Sequence, residues 1–256
     1  MNRRRNIKFF YSQQGEDFFI FQNFINKKVE DGIFLEMGAC DGVLYSNTLF
    51  FEKNLNFKGI LIEPSNQYFQ KLIQNRKNNI CLNLAISEKE GESIMLGNKA
   101  TGGLLDNMTE KFKISHHKNS ETYIVKTKRL DSIFQENNIS YIDLFSLDVE
   151  GGELNVLNSI DWGKVEIYLF CIELDNHNKE KDEKCREILK NKGFQLRMRM
   201  CINEFWENPN YSRKRLLYDK DLKENFKGCL MKHGYQKFTE KHCIPEINKK
   251  ISEYNN

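Results

Sequence analysis

Apolar residues along the chain fall into two alternating patterns: short, nearly continuous runs that read as buried strands, and longer stretches with helical spacing. Residues 16–29 place Phe18, Phe19, Phe21, Phe24 and Ile25 on one side of a helix. Residues 33–37 form a short apolar run ending at Gly38, a buried strand by its length. Residues 46–54 follow as a helix capped by Ser46 or Asn47. The next strand, 59–63, is closed by Pro64, which has no N–H to give to a central ladder. Residues 65–75 are helical with Ser65 as cap, and 79–86 read as a third strand.

From 87 to 125 the pattern weakens. Gly97, Gly102 and Gly103 lie there in a polar stretch with His116 and His117 beyond, and so long an irregular segment reads as a lid or insertion. Regularity then returns: a strand at 123–128, a short helix at 131–137, a fourth core strand at 142–148 and a helix at 152–160. A fifth strand covers 166–173, and a helix over 180–191 is stopped by Gly193. Residues 194–201 and 204–211 pair as a terminal hairpin. Repeated strand–helix units predict an α/β fold, a mostly parallel sheet with helices on both faces. Residues 1–218 make that domain, and 219–256 form a charged appendage.

Composition changes this picture little. At 39% hydrophobic residues the chain is globular, and its mean hydropathy of −0.64 indicates a very polar surface. The net charge of +3 is the small difference between 39 basic and 36 acidic residues, so a nucleic-acid partner is not expected. The one dense basic cluster, Met1 to Arg5, reads as a solvated terminus. Seven dispersed cysteines, several inside apolar runs, read as reduced thiols of a cytoplasmic protein. Cys229, His233, His242 and Cys243 offer zinc-type ligands, but the adjacent His242 and Cys243 do not fit finger spacing. No apolar run approaches the roughly 20 residues that cross a bilayer, and no secretory leader pattern opens the chain.

Chemistry is expected at the carboxyl ends of the strands, where open α/β sheets bind ligands. Glu36 and Gly38 close the first strand, and Asp41 and Gly42 turn the chain into the next helix. Glu63 closes the second strand, placed to hold ribose hydroxyls, while Asn83 and Ala85 end the third, near an adenine edge. Dinucleotides and S-adenosylmethionine share this geometry. A dinucleotide needs Gly-x-Gly-x-x-Gly for its pyrophosphate. Here Asp41 stands in that place, and a carboxylate beside pyrophosphate is unfavourable, whereas the cationic methionine end of S-adenosylmethionine tolerates it.

Several stretches together resemble the FkbM-type methyltransferase family. They are Tyr11 to Gln13 with Gly15 to Asp17, Phe34 to Gly42 (FLEMGACDG), Ser46 to Thr48 with Phe51 and Glu52, Gly59 to Pro64 (GILIEP), Asn83 to Ala85, and Leu147 to Glu153 (LDVEGGE). The resemblance spans roughly residues 11–175 and implies a seven-stranded Rossmann-like class I methyltransferase fold with S-adenosylmethionine as cofactor. It also implies methyl transfer to oxygen, often a hydroxyl of a sugar or glycan. Carried over, Glu36, Gly38 and Asp41 line the methionine end, Glu63 the ribose, and Asn83 and Ala85 the adenine side, while Tyr11, Ser12 and Gln13 fold over the cofactor. The matched motifs add Ala39, Gly42, Ser46, Asn47, Thr48 and Pro64 to the cofactor-binding set.

Asp148, at the end of the fourth strand, is either a base for the acceptor hydroxyl or a hydrogen-bonding partner of cofactor or backbone. Glu150 and Glu153 suit a helix start, where acidic side chains meet the positive end of the dipole. Glu173 closes the fifth strand, and Asp175 and His177 follow; His177 is a second candidate base or a solvated surface histidine. Asp148, Glu173 and Asp175 together offer oxygen ligands for Mg²⁺. An RNA ribose methyltransferase would use a lysine where these strands end in acids, and a non-catalytic platform would not need the set of Glu36, Gly38, Asp41 and Glu63.

Overall fold

A strand covered on both faces needs apolar side chains pointing both ways, and the short apolar runs supply them. The computed structural model describes residues 9–220 and 230–231. It opens with β1 (Phe9–Phe10), α1 (Glu16–Asn23), β2 (Ile33–Met37), α2 (Leu49–Leu55), β3 (Lys58–Ile62), α3 (Asn66–Asn75) and β4 (Ile80–Leu82). Next come β5 (Ala85–Ile86), β6 (Gly91–Leu96), β7 (Gly103–Leu104), a 3₁₀ turn (Leu105–Asn107), α4 (Glu110–His116) and β8 (Thr122–Lys128). The chain continues through α5 (Leu130–Glu136), β9 (Tyr141–Leu147), α6 (Glu153–Asn158), β10 (Glu166–Glu173) and α7 (Lys179–Asn191). It closes with β11 (Gln195–Met200), β12 (Asn203–Glu207), α8 (Lys214–Leu217) and β13 (Leu230–Met231), which pairs with β1.

Seven strands form the central sheet in the order β11-β12-β10-β9-β2-β3-β4. All neighbours run parallel except β12, which is antiparallel to both β10 and β11. Alternate side chains feed two cores. Phe34 and Leu144 join one cluster with Phe19 and Ile20 of α1, Leu49 and Phe50 of α2, and Leu72 of α3. Leu35 and Phe145 join the other with Ile133 of α5, Leu157 of α6 and Leu189 of α7. Burying each such side chain contributes about 1.5–3 kcal/mol, so both helical layers are held by the same strands. The expected α/β class and the terminal hairpin are both present.

The weakly patterned stretch is the main departure. The strand expected over 79–86 divides between two sheets, because the Asn83 amide donates to the carbonyls of Glu63 (2.9 Å) and Pro64 (3.0 Å) and turns the chain away. Residues 85–128 then build a second sheet, β5-β8-β6-β7, around Ala85, Met95, Leu104 and Val125. Its strands escape the alternation rule because the outward-facing partners Ile94 and Ile124 are also apolar, though exposed. The first helix stops at Asn23 rather than 29, since Asn26 and Lys27 turn to bond the Leu217 carbonyl (2.8 and 3.1 Å). Most of the 219–256 appendage, the Met1 to Arg5 cluster and the residues Cys229, His233, His242 and Cys243 lie outside the described residues. Among the described residues no helix is long and apolar enough to cross a membrane.

Candidate active site

The chain runs outward from β2 through β3 and β4, then returns to place β9 on the other side of β2. The carboxyl ends of β2 and β9 therefore flank a switch point, the place where such sheets bind ligands. Gly38, just past β2, has φ +73°, and a Cβ there would lie 1.9 Å from the Asp148 carbonyl oxygen. Only glycine lets the two loops touch. Cys40 also adopts a left-handed conformation, held by its N–H to Glu63 Oε2 at 2.8 Å. Glu63 Oε1 accepts from the Ser65 N–H at 2.7 Å. Burial pushes the Glu63 carboxyl up to about 7.

A cleft of about 560 Å³, its mouth included, opens here. Gly38, Cys40, Glu63, Pro64, Asp148 and Glu150 line the core-domain side, and the second sheet with its loops contributes Ala85, Lys99, Ala100, Gly102, Gly103 and Asn107. Asn107 Nδ2 is buried with no hydrogen-bond partner among the described residues, while its Oδ1 accepts from Asn155 at 2.8 Å. An orphan donor on the wall of a cleft suits a polar ligand group.

Four of the residues expected to bind cofactor line this cleft: Gly38, Glu63, Pro64 and Ala85. The others stand behind it and brace its loops. Glu36 Oε2 accepts from Ser46 Oγ (2.8 Å), Thr48 Oγ1 (2.7 Å) and Arg76 Nη1 (3.4 Å), and Oε1 accepts from the Asn47 N–H (2.7 Å). That carboxylate is 4% exposed and is turned to the 46–48 turn rather than to the cleft. Asp41 Oδ1 accepts from the N–H groups of Val43 (2.9 Å) and Leu44 (2.7 Å), closing its own turn. Gly42 is needed for packing, since a Cβ would meet Arg76 Cγ and Leu72 Cδ1 at 2.6 Å. Asn83 ties the loops after β3 and β4, and Ala39 is buried in the core. The Tyr11 and Ser12 N–H groups donate to Asp17 (2.6 and 3.3 Å), Ser12 bridges to Tyr45, and Gln13 beside them is half-buried.

At the other end of the cleft, one carboxylate oxygen from each of Asp148, Glu150 and Glu173 lies within 4.8 Å of the others. Burial raises all three carboxyls, and their mutual repulsion adds to the rise of Glu150 and Glu173. Asp148 and Glu173 lie against each other, and burial together with the Asp148 charge pushes the Glu173 carboxyl well above the usual carboxylate range.

Asp175, expected in this trio, is turned instead to His177, accepting from its N–H at 2.8 Å and contacting Nδ1. Glu150 takes the third place because the chain turns back at Glu150 (φ +53°) and Gly151 (φ +103°). His177 sits at the rim, its ring 5.3 Å from Phe112 and 6.4 Å from His116 of α4. Glu153 braces the loop, accepting from Val149 and Gly151 N–H (3.2 Å each) and pairing with Lys181 at 2.5 Å. The sequence hinted at Glu150 through its place two residues beyond Asp148. It gave no sign of Arg76, a fully buried cation at the end of α3, or of Asn107.

The profile of the methyltransferase FkbM domain matches residues 36–196, more than half of the chain. No curated protein matches the sequence significantly. Among solved structures, the FkbM methyltransferase of Methylobacillus flagellatus is similar at 14% identity and TM-score 0.45; the match covers 70% of this chain, which spans only 44% of that protein. Fibrillarin of Aeropyrum pernix, solved with S-adenosylmethionine, aligns at 11% identity and TM-score 0.41, covering 76% of this chain and 73% of its own. The precorrin-6y C5,15-methyltransferase of Geobacter metallireducens aligns at 11% identity and TM-score 0.37, covering 66% of each chain. With its switch-point cleft and the profile match across its core, the chain belongs to the FkbM family of S-adenosylmethionine-dependent methyltransferases.

Proposed function

We propose that this protein methylates a hydroxyl of a sugar or glycan. The observation that carries the reading is the cluster of Asp148, Glu150 and Glu173, whose carboxylate oxygens lie within 4.8 Å of one another at one end of the cleft. Gly38, Glu63, Pro64 and Ala85 would hold S-adenosylmethionine, with Glu63 toward the ribose and the cavity beside Gly38 left open for the sulfonium. When bound, that cofactor supplies an electrophilic methyl group. Asp148 would take the acceptor hydroxyl's proton, and the neighbouring Glu173 carboxyl steadies the resulting arrangement by hydrogen bonding. Holding hydroxyl and methyl in line is the larger part of the catalysis.

Hydroxyl-rich acceptors suit a pocket of carboxylates, which accept hydrogen bonds from sugar hydroxyls. The Asp148 carboxylate disfavours the phosphates that flank a ribose hydroxyl in RNA, and the nearby Lys181 is already engaged by Glu153. The three oxygens of Asp148, Glu150 and Glu173 are also donors of the type Mg²⁺ takes, so the deciding experiment includes it. Methyl transfer from labelled S-adenosylmethionine onto a panel of nucleotide-sugars and short glycans, with and without Mg²⁺, is expected to give a labelled methyl ether. Labelling of RNA ribose alone, or no thermal stabilisation by S-adenosylhomocysteine, overturns the proposal.

A further inference from the structure

His117 was legible in the sequence only as one of a histidine pair in an irregular stretch, and the chemistry above does not use it. It caps the carboxyl end of α4 and is 6% exposed. Its Nε2 lies 2.8 Å from the Thr101 carbonyl oxygen and its Nδ1 3.0 Å from Ser120 Oγ. A carbonyl only accepts, so Nε2 carries the proton, and Nδ1 accepts from the serine hydroxyl in the neutral ring. The ring also lies directly against the bare backbone of Gly97. A Cβ on Gly97 would stand 2.5 Å from His117 Cε1.

What His117 grips is the outer wall of the cleft. Residues 97–103 leave β6 at Gly97 (φ +77°), turn through a Gly102 N–H to Lys99 carbonyl bond of 2.9 Å, and re-enter at β7. Lys99, Ala100, Gly102 and Gly103 face Glu63, Gly38 and Asp148 across the cavity. A Cβ on Gly102 would lie 2.5 Å from the Gly97 carbonyl oxygen, so the turn closes tightly on itself. On its far side the turn is tied to the segment just after Glu63. Ser65 Oγ reaches the Asn98 carbonyl at 3.4 Å, and Tyr68 is hydrogen-bonded to the Ala100 backbone. Asn98, Lys99 and Ala100 are exposed and bury little apolar surface of their own. Such a segment keeps its place by its tethers, not by a core.

We infer that residues 98–103 are a strap across the cofactor cleft and that His117 is the positioning residue that holds it closed over an S-adenosyl ligand. The inference rests on the cofactor reading given above. A ligand reaching Glu63 passes under this turn, so the strap swings on Gly97 and Gly102 and is relatched by the Nε2–Thr101 bond. Cofactor affinity therefore depends on a histidine that touches no part of the cofactor.

The test uses the full-length protein, S-adenosylhomocysteine as the probe and three variants: His117→Ala, His117→Gln and Ser120→Ala. Calorimetric titration is expected to show binding weakened about tenfold or more in His117→Ala, the effect of losing one buried hydrogen bond and its packing. His117→Gln, whose amide can still donate toward Thr101, is expected to recover part of that loss, and Ser120→Ala to lose less than His117→Ala. Amide exchange of residues 98–103 in the free protein is expected to quicken in His117→Ala while β2 and β9 stay protected. Should His117→Ala fail to fold, the Gln and Ser120 variants carry the same comparison. Wild-type binding with variant affinities within twofold of it, or unchanged exchange at 98–103, overturns the strap. Absence of binding by the wild-type protein overturns the cofactor reading itself.

Discussion

Replacing Arg76 tests whether Glu36 supports the loop or meets the ligand. The Arg76 side chain is fully buried; its Nε pairs with Glu52, Nη1 bonds the Gly42 carbonyl (3.0 Å) and Ser46 Oγ (3.1 Å), and Nη2 bonds Thr48 Oγ1 (3.0 Å). Glu36, at 3.4 Å from Nη1, completes the cluster. Arg76→Ala leaves two carboxylates without a buried counter-charge, which costs about 3–5 kcal/mol. For a chain of this size each kcal/mol lowers Tm by about 2–4 °C, so the melting point should fall by roughly 6–20 °C. Arg76→Met combined with Glu36→Gln and Glu52→Gln removes the charges together and should recover much of the loss. Urea denaturation followed by circular dichroism measures both. A loss below about 1 kcal/mol for Arg76→Ala would refute the reasoning, because breaking one partner of a buried pair cannot be that mild. Glu36→Gln adds a finer check. With its amide oxygen kept on the Asn47 N–H, the NH₂ would face the Arg76 guanidinium, donor against donor, at a cost of about 1–3 kcal/mol. A Glu36 that instead contacted cofactor would lose affinity for S-adenosylhomocysteine with stability intact.

Further outcomes follow from the same geometry. Asp148 is raised to about 6, chiefly by burial, so kcat/KM should climb as pH passes through about 6; a flat profile from pH 5 to 8 sinks Asp148 as the base. Because the folded-state pKa lies above the unfolded one, folding favours the protonated form, and the stability this group contributes is present at low pH and is lost as pH rises through about 6. Asp148→Asn should accordingly melt no lower than wild type at pH 7 while losing turnover, and it should keep its thermal shift with S-adenosylhomocysteine. Gly38→Ala drives a Cβ to 1.9 Å from the Asp148 carbonyl and should abolish cofactor binding by calorimetry; retained binding would mean that the two loops do not touch. His177→Ala should keep most of its turnover, since that ring sits at the rim on Asp175 and Phe112, and a loss matching that of Asp148→Asn would move the base to His177.

Much of this was written in local sequence. The runs around Phe34, Leu61, Leu144 and Phe170 are apolar at most positions because both faces are covered, so strand order aside, the α/β class could be read directly. Gly38, Glu63 and Asp148 could be singled out because ligand chemistry gathers at strand ends, a rule that depends on the strand alone, and the fold lines one cleft with all three. What local pattern could not give was direction. Glu36 and Asp41 lie at the right places along the chain, yet the fold turns one to the 46–48 turn and uses the other to close its own turn. Motif spacing fixes where a side chain begins, and only packing fixes which partner it meets. The division was the same in the second sheet. Its apolar outer residues Ile94 and Ile124 blurred the alternation, and only the folded chain brings His117 behind Thr101 and Asn107 against Gly151 and Gly152. Residues far apart in sequence become one site through long-range contacts, whose information is spread over the whole chain and carried by no single motif.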